Sequence, residues 1–376
     1  MSDVLFVTWD GGGNLPPALG IAAELTRRRH AVRFLGHEQQ RATIEAAGFG
    51  FQPFTHARPW SSVAPYLSFQ GAMKFLDVFT DRGMGEDLLR EARRQPPDII
   101  VIDCLLFGVL QAAERAGLRR AVLVHTLYSQ QRATWGSGMG GMMTRLHGMR
   151  APQLWLRSDL VLVTTLREID HCGETPVTVH HTGPVWQDAR PEPALPQPGD
   201  PLVVASLSTL FQTGQTKALQ AIVDGLGCLP IRALVTTGPS IEPSALRPAA
   251  NVEVRRFVSH AEVMPLASLV ICHGGHSTAM AALSHDLPLV IMPMFALGDQ
   301  PVIGRALERF GAARVTPKTA SAKRIAEVVK ELLADGPHRA AAHALGAKIR
   351  LHDGAVEAAD ALESLPIATS VAAGRL

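Results

Sequence analysis

The chain has 376 residues, 47% hydrophobic and 19% charged; this composition excludes a disordered chain and the length predicts two domains. Lys plus Arg number 36 against 34 Asp plus Glu, and a net charge of +2 excludes the broad field of a nucleic-acid or anionic-membrane binder. No apolar run approaches the roughly 20 residues of a membrane span, and the polar Ser2-Asp3 start is unlike a secretion signal, so a cytoplasmic protein is expected.

In chain order, an apolar strand (Val4 to Trp9) meets a glycine-rich turn (Asp10 to Asn14) and then a helix from Leu15 to Arg29. Pro16 and Pro17 suit a first helical turn, where an amide proton is not needed. A strand at Ala31 to Leu35 and a helix at Glu38 to Ala47 follow. Asp98 to Asp103 is a continuous apolar run, as in a strand buried on both faces, followed by a helix at Phe107 to Ala116 and a strand at Arg120 to Val124. Two stretches break this alternation. Residues 51 to 80 concentrate aromatics (Phe51, Phe54, Trp60, Tyr66, Phe69, Phe75, Phe79), which suits core, while 128 to 149 is rich in glycine and methionine, which suits an adaptable acceptor-binding loop. The four cysteines are far apart, and Cys104 and Cys272 read as buried, reduced thiols; Cys172 and Cys228 form no C-x-x-C pair.

Residues 187 to 200 hold four prolines and almost no large apolar side chain, a linker. Strands at Leu202 to Ser206, Arg232 to Thr236, Val252 to Phe257, Leu269 to Cys272 and Leu287 to Met292 then alternate with helices at Lys217 to Leu226, from Ser277 and from Gln300. The fold class is α/β, with parallel sheets covered by helices. The predicted organisation is an N-terminal domain (1–186), the linker (187–200), a C-terminal domain (201–350) and a tail (351–376) that packs back on the N-terminal domain. Such folds bind ligands at the carboxyl ends of their strands, in a cleft.

The sharpest signal is Cys272-His273-Gly274-Gly275-His276-Ser277-Thr278. A buried strand delivers an imidazole and two glycines to its carboxyl end, and two hydroxyl side chains open the next helix. Backbone amides at a helix start are an anion site, and glycine lets a diphosphate approach without a Cβ in the way. Read alone, the same turn is equally an ordinary helix start with an incidental histidine. Downstream, Asp299-Gln300 can bond adjacent sugar hydroxyls; upstream, Phe257 can flank a flat base.

Taken together, these residues resemble the donor-site signature of nucleotide-sugar-dependent glycosyltransferases of the GT-B architecture, most closely the bacterial natural-product, antibiotic-type enzymes. That family carries W-V-P-[QH], then a strand ending in H-G-G-x-x-[ST], a G-x-P-x-x-x-x-P stretch and D-Q. This chain has Phe257 to His260, His273 to Thr278, Asp286 through Pro293, and Asp299-Gln300; the turn at Ser206 to Thr209 and Gly183-Pro184 also match in order. The resemblance implies two Rossmann-like domains facing across a cleft. It places the diphosphate on His273, Gly275, Ser277 and Thr278, the base on Phe257 and Val258, and the sugar on Asp299 and Gln300; Ser208 falls in the same donor set. It implies a dTDP- or UDP-type sugar as co-substrate with no cofactor and no metal, inversion at the sugar, a small and largely apolar or aromatic acceptor, and leaves a homodimer open. Phe257, Ser259, Ser208 and Asp286 depart from the family's tryptophan, proline, glycine and glycine.

The acceptor side departs further. Relatives use a histidine after the first strand to deprotonate the acceptor; the alignment puts Asn14 there, and an amide takes no proton. Asp103 matches the aspartate that orients that histidine and in some carbon-glycosylating relatives acts as base. Asp103 also reads as a helix cap, and Asp10 is a second candidate on the same rim. His125, just after a strand, is the remaining histidine of interest; His37, His180 and His181 read as structural or solvated. Asn14 leaves room for a catalytically impaired homologue that activates another enzyme. A dinucleotide-dependent oxidoreductase is disfavoured, since Pro16 interrupts G-x-G-x-x-G and the second strand ends in Gly36-His37 rather than an acid. A sugar-nucleotide epimerase shares the architecture.

Overall fold

A computed structural model of the chain describes residues 1–62, 68–171, 173–187, 191–194, 199–209, 212–296, 298–334 and 336–365. Tyr66, Cys172, much of the expected linker and the end of the expected tail lie outside the described residues, as does the Phe69 side chain. Two compact units emerge. Unit 1 holds the described residues of 1–61, 68–187 and 353–365, and unit 2 those of 188–352.

In unit 1 the order is β1 (Asp3–Val7), α1 (Leu15–Arg27), β2 (Ala31–Gly36), α2 (Arg41–Ala46), β3 (Gly50–Pro53), α3 (Ser68–Phe79), α4 (Arg82–Arg94), β4 (Ile99–Asp103), α5 (Phe107–Arg115) and β5 (Arg120–Val124). Then come α6 (Tyr128–Gly136), α7 (Met139–Leu146), α8 (Ala151–Leu156), β6 (Leu160–Val163), α9 (Arg167–Asp170) and β7 (Val179–His181). The strands form one parallel sheet in the order β3-β2-β1-β4-β5-β6-β7. β4 is buried along its whole length, which explains its unbroken apolar sequence; each such side chain contributes about 1.5–3 kcal/mol by leaving water. Asp81 starts α4 as a true cap, its carboxylate accepting from the Gly83 amide.

Unit 2 runs β8 (Leu202–Ser206), α10 (Gln215–Leu226), β9 (Arg232–Thr236), β10 (Val252–Arg255), α11 (His260–Val263), β11 (Leu269–Cys272), α12 (His276–Ser284), β12 (Leu289–Ile291), α13 (Gln300–Arg309), β13 (Ala313–Val315), α14 (Ala322–Leu333) and α15 (Pro337–Leu351). Its six parallel strands are ordered β10-β9-β8-β11-β12-β13. The last helix, α16 (Gly354–Glu363), belongs to unit 1: Ala358, Ala359 and Leu362 enter the core beside α1, and Arg28 Nη1 reaches Asp360 Oδ1 and Glu363 Oε2 at 2.6 Å each.

Of the two stretches that break the alternation, one is as expected and one is not. The aromatic stretch is core, as read: Trp60, Phe75 and Phe79 pack with Trp9 at ring-centroid distances of 5.1–6.0 Å. The glycine- and methionine-rich stretch is helical, not a loop, because its glycines interrupt it only once, at Gly138 between α6 and α7. It presents Met139, Met142 and Leu146 outward. Asp286 sits at φ +63°, the left-handed region that explains why the resembled family has glycine there; Arg350 (2.7 Å) and His343 (2.9 Å) on α15 hold its carboxylate.

Candidate functional site

In unit 2, β11 ends at Cys272 and α12 begins at His276, so His273 to Gly275 form a three-residue turn at the carboxyl edge of the sheet. Gly274 has φ +87°, and a Cβ there would meet the Gln300 carbonyl at 2.8 Å. A Cβ on Gly275 would meet the His273 ring, 2.6 Å from Nε2. The glycines therefore have separate jobs. Gly274 makes the turn; Gly275 leaves space for the imidazole. Ser277 and Thr278 occupy the first turn of α12, half-buried, where helix amides are still unpaired by the helix itself.

His273 shares this edge with Asp299, His260 and the Leu207 carbonyl. Burial pushes its pKa down to about 4, against the pull of the Asp299 carboxylate and the Leu207 carbonyl, so the ring is neutral at pH 7. Burial lowers His260 as well. Gln300 Oε1 accepts from the amides of Met294 (2.8 Å) and Phe295 (3.0 Å), so the group it offers a hydroxyl is its Nε2–H. The Ser208 carbonyl accepts from Gln215 Nε2 at 3.0 Å. Phe257 lies beyond the end of β10, 76% exposed, followed by half-buried Val258; an aromatic so open to solvent can stack on a base.

In unit 1, the buried carboxylate of Asp103 ends β4. Its Oδ2 accepts from Asn14 Nδ2 at 2.9 Å and lies 3.3 Å from His125 Nδ1; its Oδ1 accepts from the Leu105 amide at 3.0 Å. The bond to Leu105 is a local turn ahead of α5, whose N-cap is Leu106 with no side-chain cap, so Asp103 does not fill the expected helix-cap role and instead anchors a polar cluster. Asn14 also lies within 3.0 Å of the Trp9 carbonyl and 3.2 Å of Thr8 Oγ1. Asp10 is tied elsewhere: its amide donates to His37 Nδ1 (3.2 Å), and its carbonyl accepts from the Trp60 indole (2.6 Å). His37 is buried, which pushes it down to about 4. His181 pairs with buried Asp170 at 2.7 Å, a structural role. Cys104 joins Asp103 and His125 in the one grouping of His, Cys and carboxylate donors among the described residues, with ligand atoms within 4.8 Å of one another. The carboxylate is already surrounded by N–H groups, which suits a hydrogen-bonded cluster better than a metal site.

Unit 1 also contains a cavity of about 780 Å³ lined by residues including His56, Arg58, Asp81, Arg82, Leu146 and His147, drawn from both irregular-looking sequence stretches. Neither Asp103 nor His125 lines it, and most of its lining residues are charged or polar. No helix among the described residues is long and apolar enough to cross a membrane.

A family model, erythromycin biosynthesis protein CIII-like, C-terminal domain, matches residues 234–365. The chain is 24% identical to 4'-demethylrebeccamycin synthase of Lentzea aerocolonigenes, covering 96% of this chain and 99% of that protein. The glycotransferase of kitacinnamycin superposes with a TM-score of 0.78 at 22% identity, covering 97% and 99% of the two chains. The glycosyltransferase VinC, solved in complex with dTDP, gives 0.71 at 18% identity over 96% and 98%. Two parallel Rossmann-like sheets, the H-G-G turn on the second of them and end-to-end likeness to these proteins give the chain the GT-B fold and make it similar to the antibiotic-type natural-product glycosyltransferases.

Proposed function

We propose that this protein is an inverting, metal-independent glycosyltransferase that moves a hexose-type sugar from a dTDP- or UDP-sugar to a small, largely apolar or aromatic natural-product acceptor. The observation that carries this reading is the His273-Gly274-Gly275 turn, with its neutral imidazole, open glycine and helix start gathered at one strand end. The dTDP bound to VinC and the natural-product names of the relatives support it.

In this mechanism the acceptor attacks the anomeric carbon as the bond to the diphosphate breaks. Negative charge grows on the leaving phosphate. The first amides of α12, the hydroxyls of Ser277 and Thr278, and His273 stabilise that charge, as a helix start does for any phosphate. Phe257 and Val258 flank the base, and Asp299 with the Gln300 amide holds sugar hydroxyls. Asp103, Asn14 and Asp10 belong to the acceptor side.

A thermal-shift screen with dTDP and UDP, followed by turnover of a panel of their sugars, tests the reading. Binding should raise the melting temperature with ligand concentration. His273→Ala should lower donor turnover about ten- to hundredfold, the loss of a charge-assisted bond worth about 1.5–3 kcal/mol. Wild-type protein indifferent to both nucleotides refutes the assignment.

A further inference from the structure

The sheet order of unit 1 sets β4 between β1 and β5, so Asp103 is approached from two sides. From the β1 side the turn before α1 brings Asn14 Nδ2 to 2.9 Å of Oδ2. From the β5 side, where register pairs Asp103 with Leu123, His125 brings Nδ1 to 3.3 Å of the same oxygen. The residue on the β1 side is an amide, which has no basic nitrogen. Asp103 is itself badly placed to meet a substrate: its side chain is 3% exposed and both oxygens have N–H groups against them. The His125 side chain is 15% exposed, so the imidazole is the member of the cluster that reaches toward solvent.

We propose that His125 is the base that takes the acceptor's proton, with Asp103 and Asn14 as positioning residues. Imidazole and amide have exchanged sides of the carboxylate relative to the resembled family. The proposal rests on the glycosyltransfer reading above. In the reactive tautomer, His125 Nδ1–H donates to Asp103 Oδ2, which leaves the Nε2 lone pair to accept. The acceptor O–H bond breaks and its proton moves to Nε2. The oxygen's electron pair forms the new bond to the anomeric carbon, while the pair of the broken carbon–oxygen bond leaves with the nucleoside diphosphate. Imidazolium and carboxylate then face each other, and the proton returns to solvent. Asn14 holds Asp103 in place by donating to the oxygen that His125 also uses. At 3.3 Å the two groups are within reach of a hydrogen bond that a small shift of the ring would tighten.

Turnover is measured with dTDP-glucose and UDP-glucose as donors and 4-methylumbelliferone as acceptor. His125→Gln should lower kcat about 100-fold or more, leave the donor KM within about threefold, keep the dTDP thermal shift, and remove the inflection from the pH–rate profile. Adding Asn14→His to His125→Gln should restore at least about tenfold of the lost kcat, by returning an imidazole to the other side of Asp103. His125→Gln that stays within about threefold of wild type with an unchanged pH profile overturns the proposal. A second readout needs no turnover: in imidazole NMR titrations, Asp103→Asn should move the His125 midpoint to lower pH, because a facing negative charge is removed, with Cys104 the other titratable neighbour. A midpoint that does not move overturns the pairing. If neither dTDP nor UDP raises the wild-type melting temperature, the glycosyltransfer reading has failed, and the NMR titration still decides whether the pair exists.

Discussion

His273 is held neutral by burial in the free protein, yet it stands where a diphosphate is proposed to sit. A nearby anion favours the imidazolium, so nucleotide binding should raise its pKa from about 4 toward neutrality. Between about 4 and that higher value, the complex then holds more protons than the free components, and affinity for dTDP increases as pH falls. Calorimetry at pH 6 in two buffers of different ionisation enthalpy should register proton uptake, and His273→Gln should abolish the part not due to the nucleotide's own titration. No difference between wild type and variant would remove His273 from the phosphate. This residue was legible in the sequence because its partners are local: strand, glycines and hydroxyls are consecutive. The Asn14–Asp103–His125 cluster was legible only in parts. Asn14 and Asp103 follow from alignment, but His125 meets Asp103 only through the β4–β5 register, which no local motif encodes.

The turn between β11 and α12 separates two glycines by function, and substitution should separate them by effect. Gly275 has φ −64° and ψ 134°, which alanine adopts freely, but its Cβ would lie 2.6–2.7 Å from the His273 ring. Gly275→Ala should therefore weaken dTDP binding about tenfold or more while costing less than about 1 kcal/mol of stability, since a side chain can move aside. Gly274→Ala meets backbone instead, at 2.8 Å from the Gln300 carbonyl, and at φ +87°. It should cost about 2 kcal/mol or more in urea unfolding. Equal effects in both assays would mean that the turn is merely rigid. Alternation of apolar strands and amphipathic helices made most elements readable, and β4 and β11 were clearest because burial on both faces leaves no polar position. The stretch holding α6 and α7 reads as a loop because glycine and methionine signal mobility locally, whereas α6 packs against α7, α8 and α9. Phe257 reads as the end of a strand but lies two residues past the end of β10, where pairing with β9 has stopped.

At the scale of the molecule, burial lowers His260 and His285 in unit 2 and pushes one histidine of each unit down to about 4: His37 in unit 1 and His273 in unit 2. Their unfolded pKa is about 6.5, so the unfolded chain binds protons that the folded chain refuses. The stability these groups contribute is complete above about pH 6.5 and is lost as pH falls from there to about 4. The shift corresponds to on the order of 3 kcal/mol for each. Carboxylates act later. Glu24 is held down to about 2 by Arg27 and Arg28, and Asp170 is held low by His181 and Ser129 against the opposing effect of burial, so their contributions are lost only as pH drops toward those lower values. Urea unfolding at pH 7.5, 6.5, 5.5 and 4.5 should therefore be flat at first and then fall by about 3 kcal/mol in each unit's transition. Because the units have separate sheets and cores, the two transitions need not coincide. His37→Gln should flatten the acid limb for unit 1 alone, and His273→Gln for unit 2 alone. Saturating dTDP should protect unit 2 more strongly at pH 5.5 than at pH 7.5, since the bound diphosphate gives His273 a reason to be charged. A limb that responds to neither substitution would place the acid sensitivity in other groups, His260 and His285 first among them, and leave both imidazoles as bystanders.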